Sequence, residues 1–395
     1  ARILGHEENV HLHNLMVDLN SGKEEAFRAG HEAKHAENYR INSFHLGEGS
    51  PKQKFRANMD AIYTLKALEN QHRDATPEEQ ETLANYVGWG GLADAFDAEK
   101  TAWTGEYKEL KAALTEEEYA AARASTLNAH YTSPTVIRAI YEALDGMGFE
   151  KGNILEPSMG VGNFFGMLPD SMLGSRLYGV ELDSITGRIA QKLYPNAEIK
   201  VAGFETTDRR DFYDLAVGNV PFGNYKVSDK PYDKLGFSIH NYFFAKALDQ
   251  VRPGGVVAFV TSRYTMDSKN SDARRYMAQR AELLGAIRLP NDAFKKNAGT
   301  EVVSDILFLQ KRDRPIDIVP EWVNLDRTEE GHTMNSYFVA HPEMVLGDTV
   351  EESTAYGMDI TVRPIEGMEL SELLKEAVSH IQGTYQAVEL PEADK

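Results

Sequence analysis

The stretch Asp214-Leu-Ala-Val-Gly-Asn-Val-Pro-Phe-Gly223 decides how the rest of the chain is read. Its apolar run, Leu215 to Val217, stops at Gly218 and passes into Asn219, Val220, Pro221 and Phe222. That pattern predicts a buried strand delivering a stiff, polar-then-aromatic loop at its carboxyl end, the end where open α/β sheets bind their ligands. Pro221 restricts φ, Asn219 offers an amide oxygen to an exocyclic amine, and Phe222 offers a flat face to a planar ring. Together they are the parts needed to grip a flipped-out base.

Upstream, Asn153 to Leu155 reads as a strand running into Glu156-Pro157-Ser158-Met159-Gly160-Val161-Gly162-Asn163-Phe164-Phe165. Glycines at 160 and 162 let a ligand approach the backbone, as in dinucleotide sites. Position 165 is Phe rather than Gly and Glu156 would repel a pyrophosphate, so a cationic or amine-bearing ligand suits the turn better. Leu177 to Asp183 is a second strand ending in carboxylates at Glu181 and Asp183, where nucleoside-binding sheets hold a ribose diol. Strand three, Ile199 to Val201, is followed by Gly203-Phe204-Glu205. Downstream come a helix from Ser238 to Val251 and strands at Val256–Thr261, Leu284–Leu289 and Asp305–Leu309. This alternation predicts an α/β, Rossmann-like, doubly wound and mainly parallel seven-stranded sheet.

The flanks organise around that sheet as an N-terminal helical layer and a small C-terminal appendage. Residues 1–50 read as a polar helical arm, partly ordered; 51–127 as the helical layer; 128–312 as the catalytic domain; and 313–395 as an appendage with a linker helix from Leu370. Within the layer, Lys54 to Glu69 carries apolar residues at helical spacing, and Thr76-Pro77-Glu78-Glu79 and Thr115-Glu116-Glu117-Glu118 open further helices. Val87-Gly88-Trp89-Gly90-Gly91 reads as a tight turn that tucks Trp89 inward rather than as a phosphate nest. His31-Glu32-Ala33-Lys34-His35 matches the spacing of a zinc-protease helix, but it is charged on every side and reads as a solvated helix. No metal site is expected.

The chain has 395 residues, 42% hydrophobic and 26% charged, enough apolar material for a large core. Absence of cysteine excludes disulfides, thiolate zinc sites and Cys nucleophiles, and fits a cytoplasmic location. No apolar run approaches a membrane span. The chain opens on Ala rather than Met, which suggests excision from a longer polypeptide. A net charge of −19 requires that any nucleic-acid face be local.

Tyr131-Thr132-Ser133-Pro134, Glu156 to Gly162, Glu181-Leu182-Asp183 and Asn219-Val220-Pro221-Phe222, in that order, resemble the motif series of S-adenosylmethionine-dependent DNA N6-adenine methyltransferases of the gamma arrangement. The stretch from 80 to 345 also resembles the methylase portion of large methylase–helicase proteins of conjugative elements and phages. The resemblance implies a methyltransferase sheet, S-adenosylmethionine as cofactor with S-adenosylhomocysteine as product, no metal, DNA as substrate, and a helicase region following in the parent polypeptide. It implies that Tyr131, Thr132 and Pro134 meet the methionine end of the cofactor. Glu156, Pro157, Ser158, Gly160, Gly162 and Phe164 would lie beneath it, Glu181 and Asp183 at the ribose, Phe204 and Glu205 at the adenine, and Asn219 at the junction with the substrate. Catalysis is implied for Asn219, Val220, Pro221 and Phe222, with the target adenine extruded and stacked on Phe222. Val220 departs from the family, which usually has Pro or a similar residue there, and Phe222 stands in place of Tyr.

For DNA, the segment from Arg263 to Lys296 carries eight basic against four acidic residues. Arg263, Arg274, Arg275, Lys295 and Lys296, with Lys226 in the loop after Phe222, form the expected phosphate track, and Phe294 the expected second face for the base. Two other readings stay open: methylation of a protein glutamine amide, and an inactive scaffold that binds cofactor or DNA for a helicase, which the Val220 departure favours.

Overall fold

The computed structural model describes residues 36–43, 45, 47–127, 132–223, 225–294 and 302–387. The His31–His35 motif, Tyr131, Lys295 and Lys296 lie outside the described residues. From Asn38 onward the chain belongs to one compact unit.

Capping chemistry sets the helical layer. Helix α1 (Pro51–Asn70) starts earlier than its apolar spacing suggests because Ser50 and Gln53 form a reciprocal capping box. Its buried face is Phe55, Met59, Ile62, Leu65 and Leu68. Helix α2 (Pro77–Ala84) opens on the Thr76–Glu79 box, α3 (Thr104–Ala113) follows, and α4 (Glu116–Ala124) opens on the Thr115–Glu118 box. The turn between α2 and α3 is the expected tuck. Gly88 and Gly91 adopt φ of +75° and +74°, and Trp89 is buried with its ring edge-on to Phe55, Tyr86 and Phe96. Buried Asn58 holds that turn, donating to the Gly88 carbonyl at 2.6 Å and accepting from the Val87 N–H at 2.9 Å.

Helix α5 (Pro134–Gly146) is capped by Ser133 and leads into the sheet. Its strands are β1 (Asn153–Glu156), β2 (Arg176–Glu181), β3 (Glu198–Val201), β4 (Tyr213–Asn219), β5 (Val251–Ser262), β6 (Ala281–Arg288) and β7 (Ser304–Lys311). Crossover helices are α6 (Asn163–Gly166), α7 (Ser184–Leu193), α8 (Ile239–Gln250), α9 (Tyr264–Asp267) and α10 (Asp272–Arg280). Strand order is β3-β2-β1-β4-β5-β7-β6. β1 to β5 pair in parallel, and β7 runs antiparallel to both β5 and β6. Every residue of β4 is buried, as its central place demands. At the amino edge, Asp214 accepts from the Asn153 N–H, Arg252 and the Tyr385 hydroxyl, tying β1, β4, β5 and the C-terminal tail together.

The appendage comprises a β8–β9 pair (Leu325–Arg327, Thr333–Asn335), α11 (Ser336–Ala340), a β10–β11 hairpin (Asp348–Thr354, Gly357–Arg363) and α12 (Leu370–Val378). The helix read as a linker packs on α5, with Leu374 and Ala377 buried. Charge joins the appendage to the sheet. Arg288, fully buried at the end of β6, donates twice to Asp305 at 2.9 Å and once to Asp267 at 2.7 Å. Asp267 also accepts from Arg263 and from the Asn335 N–H, both at 2.9 Å, and Arg263 reaches on to Asp359 in β11. Arg288→Ala would strand the Asp305 carboxylate in the core, so it is expected to lower unfolding free energy by about 3–5 kcal/mol in urea titration, with Arg288→Lys recovering only part.

Candidate active site

Three strand ends converge at the carboxyl edge of the sheet. β1 ends on Glu156 and β4 on Asn219, and the two ends touch: a Cβ on Gly218 would lie 3.6 Å from Glu156 Cγ. β2 ends on Glu181, whose carboxylate accepts from the Gly160 N–H and the Asp183 N–H, each at 3.0 Å. These bonds fold the loop after β1 onto the end of β2. The loop can do so because Gly160 and Gly162 take φ of +57° and +88°, and any Cβ on Gly162 would collide with Tyr194 at 2.5 Å.

The polar groups gathered here are incompletely satisfied. Glu156 is 2% exposed and its Oε2 has no partner among the described residues; Asn219 Oδ1 is likewise buried and unpartnered. Burial, with Glu181 adding, holds the Glu156 carboxyl well above the usual carboxylate range. Burial also pushes Glu181 up to about 7, the charge of Asp183 adding and the N–H donors opposing. Native proteins rarely leave such groups without partners, so the arrangement is chemically suited to an amine-bearing ligand with hydroxyl groups, which would supply a cation to Glu156 and donors to Glu181.

Other expected cofactor residues are placed unevenly. Thr132 and Pro134 are buried at the start of α5, and Pro157 and Ser158 lie in the loop after β1. Asp183 caps α7, its Oδ2 accepting from the Thr186 N–H and hydroxyl, so it shapes the loop. Phe164 and Phe204 have their rings in the core, against Tyr141 and Phe243 respectively. The half-buried Glu205 carboxylate folds back over Gly203. Tyr86, buried in the helical layer, has its phenol pushed up by burial, with the charges of Asp183 and Glu181 adding.

Val220 has a structural reason. Its side chain is fully buried and its N–H donates to the Val260 carbonyl at 3.1 Å, a bond that Pro could not make. Beyond it Phe222 faces a cavity of about 530 Å3 shared with Leu235, Phe237, His240, Asn241 and Tyr264. The other aromatic residues that line that cavity are Phe237 and Tyr264. Phe294 is buried and is not among the residues that line it. His240 and Asn241 stand as a polar pair in the first turn of α8, ahead of the run Tyr242 to Ala245, and that pair is the available sequence signal.

The phosphate track also needs correction. Arg274 is 1% exposed and donates to the carbonyls of Val323, Thr265 and Ser268. It shares a helical face with Met277 and Ala278, a spacing that marks it as interior. Arg263 is spent on Asp267 and Asp359, and Arg288 on Asp267 and Asp305. Among the described residues, the exposed cations of this region are Lys226, Lys230, Lys234, Lys269 and Arg275. The loop after Phe222 is anchored: Asp229 accepts from the Tyr242 hydroxyl and from buried Lys246, both at 2.6 Å.

No family model matches the chain. It is 29% identical over 272 residues to the defense against restriction protein B of Escherichia phage P1, covering 67% of this chain and 10% of that protein. It is 35% identical over 92 residues to the type II methyltransferase M.CvrRI of Paramecium bursaria Chlorella virus XZ-6E, covering 23% of this chain and 24% of that one. The chain thus spans about a tenth and a quarter of these relatives. Among solved structures, a protein described as a class I S-adenosylmethionine-dependent methyltransferase from Listeria monocytogenes aligns at TM-score 0.42 and 15% identity over 68% of this chain and 90% of that one. The EcoKI M protein of a type I restriction enzyme aligns at TM-score 0.36 and 16% identity over 67% and 64%. The fold itself is a seven-stranded α/β sheet, parallel from β3 to β5, with its single antiparallel strand, β7, between β5 and β6.

Glu181 gives the site a stability signature. Unfolded, its carboxyl ionises near 4.5; folded, near 7. The folded state therefore binds the proton more tightly, so this group's contribution is complete below about pH 4.5 and is lost as pH rises to 7. Glu181→Gln is expected to raise the melting temperature of the ligand-free protein at pH 8 and to change it little at pH 4, measured by scanning calorimetry.

Proposed function

We propose that this chain is a DNA adenine-N6 methyltransferase domain acting on an adenine turned out of the strand. The observation that carries the reading is the meeting, at the end of β4, of an unpartnered Asn219 Oδ1 with the buried Glu156 carboxyl on one side and the aromatic cavity of Phe222 on the other. The phage and chlorovirus likenesses support it, the second being to a protein named as a type II methyltransferase.

Glu156 and the glycine turn would hold the methionine end of S-adenosylmethionine, with Thr132 and Pro134 alongside; Glu181 would accept from its ribose hydroxyls. When bound, that cofactor would supply an electrophilic methyl carbon on a sulfonium, with the thioether as leaving group, and the amine would give up one proton to the surroundings after transfer. The amine of adenine is a poor nucleophile because its lone pair is delocalised into the ring. Asn219 Oδ1 and the carbonyl of Val220 or Pro221 would accept its two hydrogens, favour a pyramidal nitrogen and aim its lone pair. The Val220 N–H bond to β5 and the φ restriction of Pro221 keep those acceptors in place before the base arrives. Phe222 would stack on the ring. Lys226, Lys230, Lys234, Lys269 and Arg275 would meet phosphates. The proposal extends to a following helicase region in the parent polypeptide, on the likeness of residues 80–345 alone.

Transfer of labelled methyl to mixed-sequence DNA, with the product base read by nucleoside mass spectrometry, tests this. N6-methyladenine is expected from the wild type. Asn219→Ala should reduce transfer by about 10²–10³-fold with cofactor affinity retained, and Phe222→Ala by at least about tenfold. Labelled protein glutamine with unlabelled DNA would replace the reading with the protein-methylating one.

A further inference from the structure

The cavity beside Phe222 is walled on one side by the first turn of α8. His240 in that turn is 6% exposed; its Nε2 bonds Ser238 Oγ at 3.0 Å and its Nδ1 has no partner. Asn241, the next residue of the same wall, leaves its Oδ1 unpartnered. Ser238 is the N-cap of α8 yet makes no side-chain capping bond, so its hydroxyl is free to donate to the imidazole. In the tautomer in which Nε2 accepts that bond, Nδ1 carries the hydrogen and is a donor. Burial pushes the imidazole down to about 4, which keeps the ring neutral at physiological pH.

The rest of the cavity points the same way. Phe222, Phe237 and Tyr264 offer aromatic surface, and Ser262, Ser268 and Asn270 a polar rim. Aromatic faces combined with an uncharged donor suit a neutral heteroaromatic ring read along its edge. Adenine presents ring nitrogens that only accept hydrogen bonds, and its amine is already assigned to Asn219 and a backbone carbonyl.

We propose that His240 is a specificity-determining residue of this pocket, donating from Nδ1 to a ring nitrogen of the extruded adenine. The inference rests on the methyltransferase reading and deepens it. A base presenting a donor at that edge would face two hydrogens across the contact, and a base lacking the nitrogen would leave the imidazole unpaired, so both are rejected.

Single-stranded oligonucleotides carrying one adenine, or 1-deaza-, 3-deaza- or 7-deazaadenine in its place, test the proposal by fluorescence anisotropy and by labelled-methyl transfer. The wild type should lose about tenfold in affinity for one of the three analogues, and His240→Ala should bind that analogue and adenine alike. His240→Phe, which fills the same space without a donor, should behave as the alanine variant does and covers the case in which alanine fails to fold. Equal discrimination in wild type and both variants, or none in the wild type, overturns the proposal. Discrimination without methyl transfer would keep His240 in the pocket and remove the methylation reading; transfer without discrimination would do the reverse.

Discussion

The buried pairing of Arg288 with Asp305 and Asp267 is the contact on which the far half of the molecule depends. Removing three charged groups from water is costly, and a bidentate geometry with further hydrogen bonds to the shared carboxylate works against that cost. The structure has that geometry: the guanidinium forks onto Asp305, and Asp267 collects Arg288, Arg263 and the Asn335 N–H. Because these groups come from β6, β7, the turn after β5 and the appendage, they can be satisfied only when all four are in register. α9, which begins with Tyr264, is set between Arg263 and Asp267, so the cavity wall beside Phe222 inherits its position from this network.

The near half follows the opposite electrostatic rule. Among the described residues no guanidinium or ammonium pairs with Glu156 or Glu181, burial drives both carboxyls upward, and Asn219 Oδ1 stays unpaired. The chain completes its charge pairing where it needs rigidity and leaves it incomplete at the strand ends. Stored frustration of this kind costs folding stability and is tolerated where a ligand can relieve it.

The loop after Phe222 joins the two halves. Its Asp229 is held by Tyr242 and Lys246 of α8, the helix whose first turn carries His240 and Asn241. One helix therefore fixes both the lysine-bearing loop and one wall of the cavity, and Phe204 from the β3 side packs on its Phe243. A displacement of α8 would alter the aromatic cavity and the exposed cations together.

Much of this was legible in the residues. The seven strands, the capped helix starts at Thr76 and Thr115, and the meeting of Glu156, Glu181 and Asn219 follow from short-range rules: apolar runs, caps, glycine turns and the habit of parallel sheets to bring their carboxyl ends together. What escaped was decided by contacts distant in sequence. Arg263, Arg274 and Arg288 look like a basic surface in a linear count and are interior because carbonyls and carboxylates from other elements surround them. Phe237 and Tyr264, not Phe294, share the cavity with Phe222, since that depends on how α8 and α9 pack. Val220 breaks the motif as letters, yet its N–H completes the β4–β5 ladder. The sequence by itself determined the elements, their order and the chemistry delivered at each strand end, because these depend on local propensity and hydrophobic period. Only the tertiary structure decided which charges are buried and which rings face the cavity, because burial is a property of neighbours that the chain brings together only when folded.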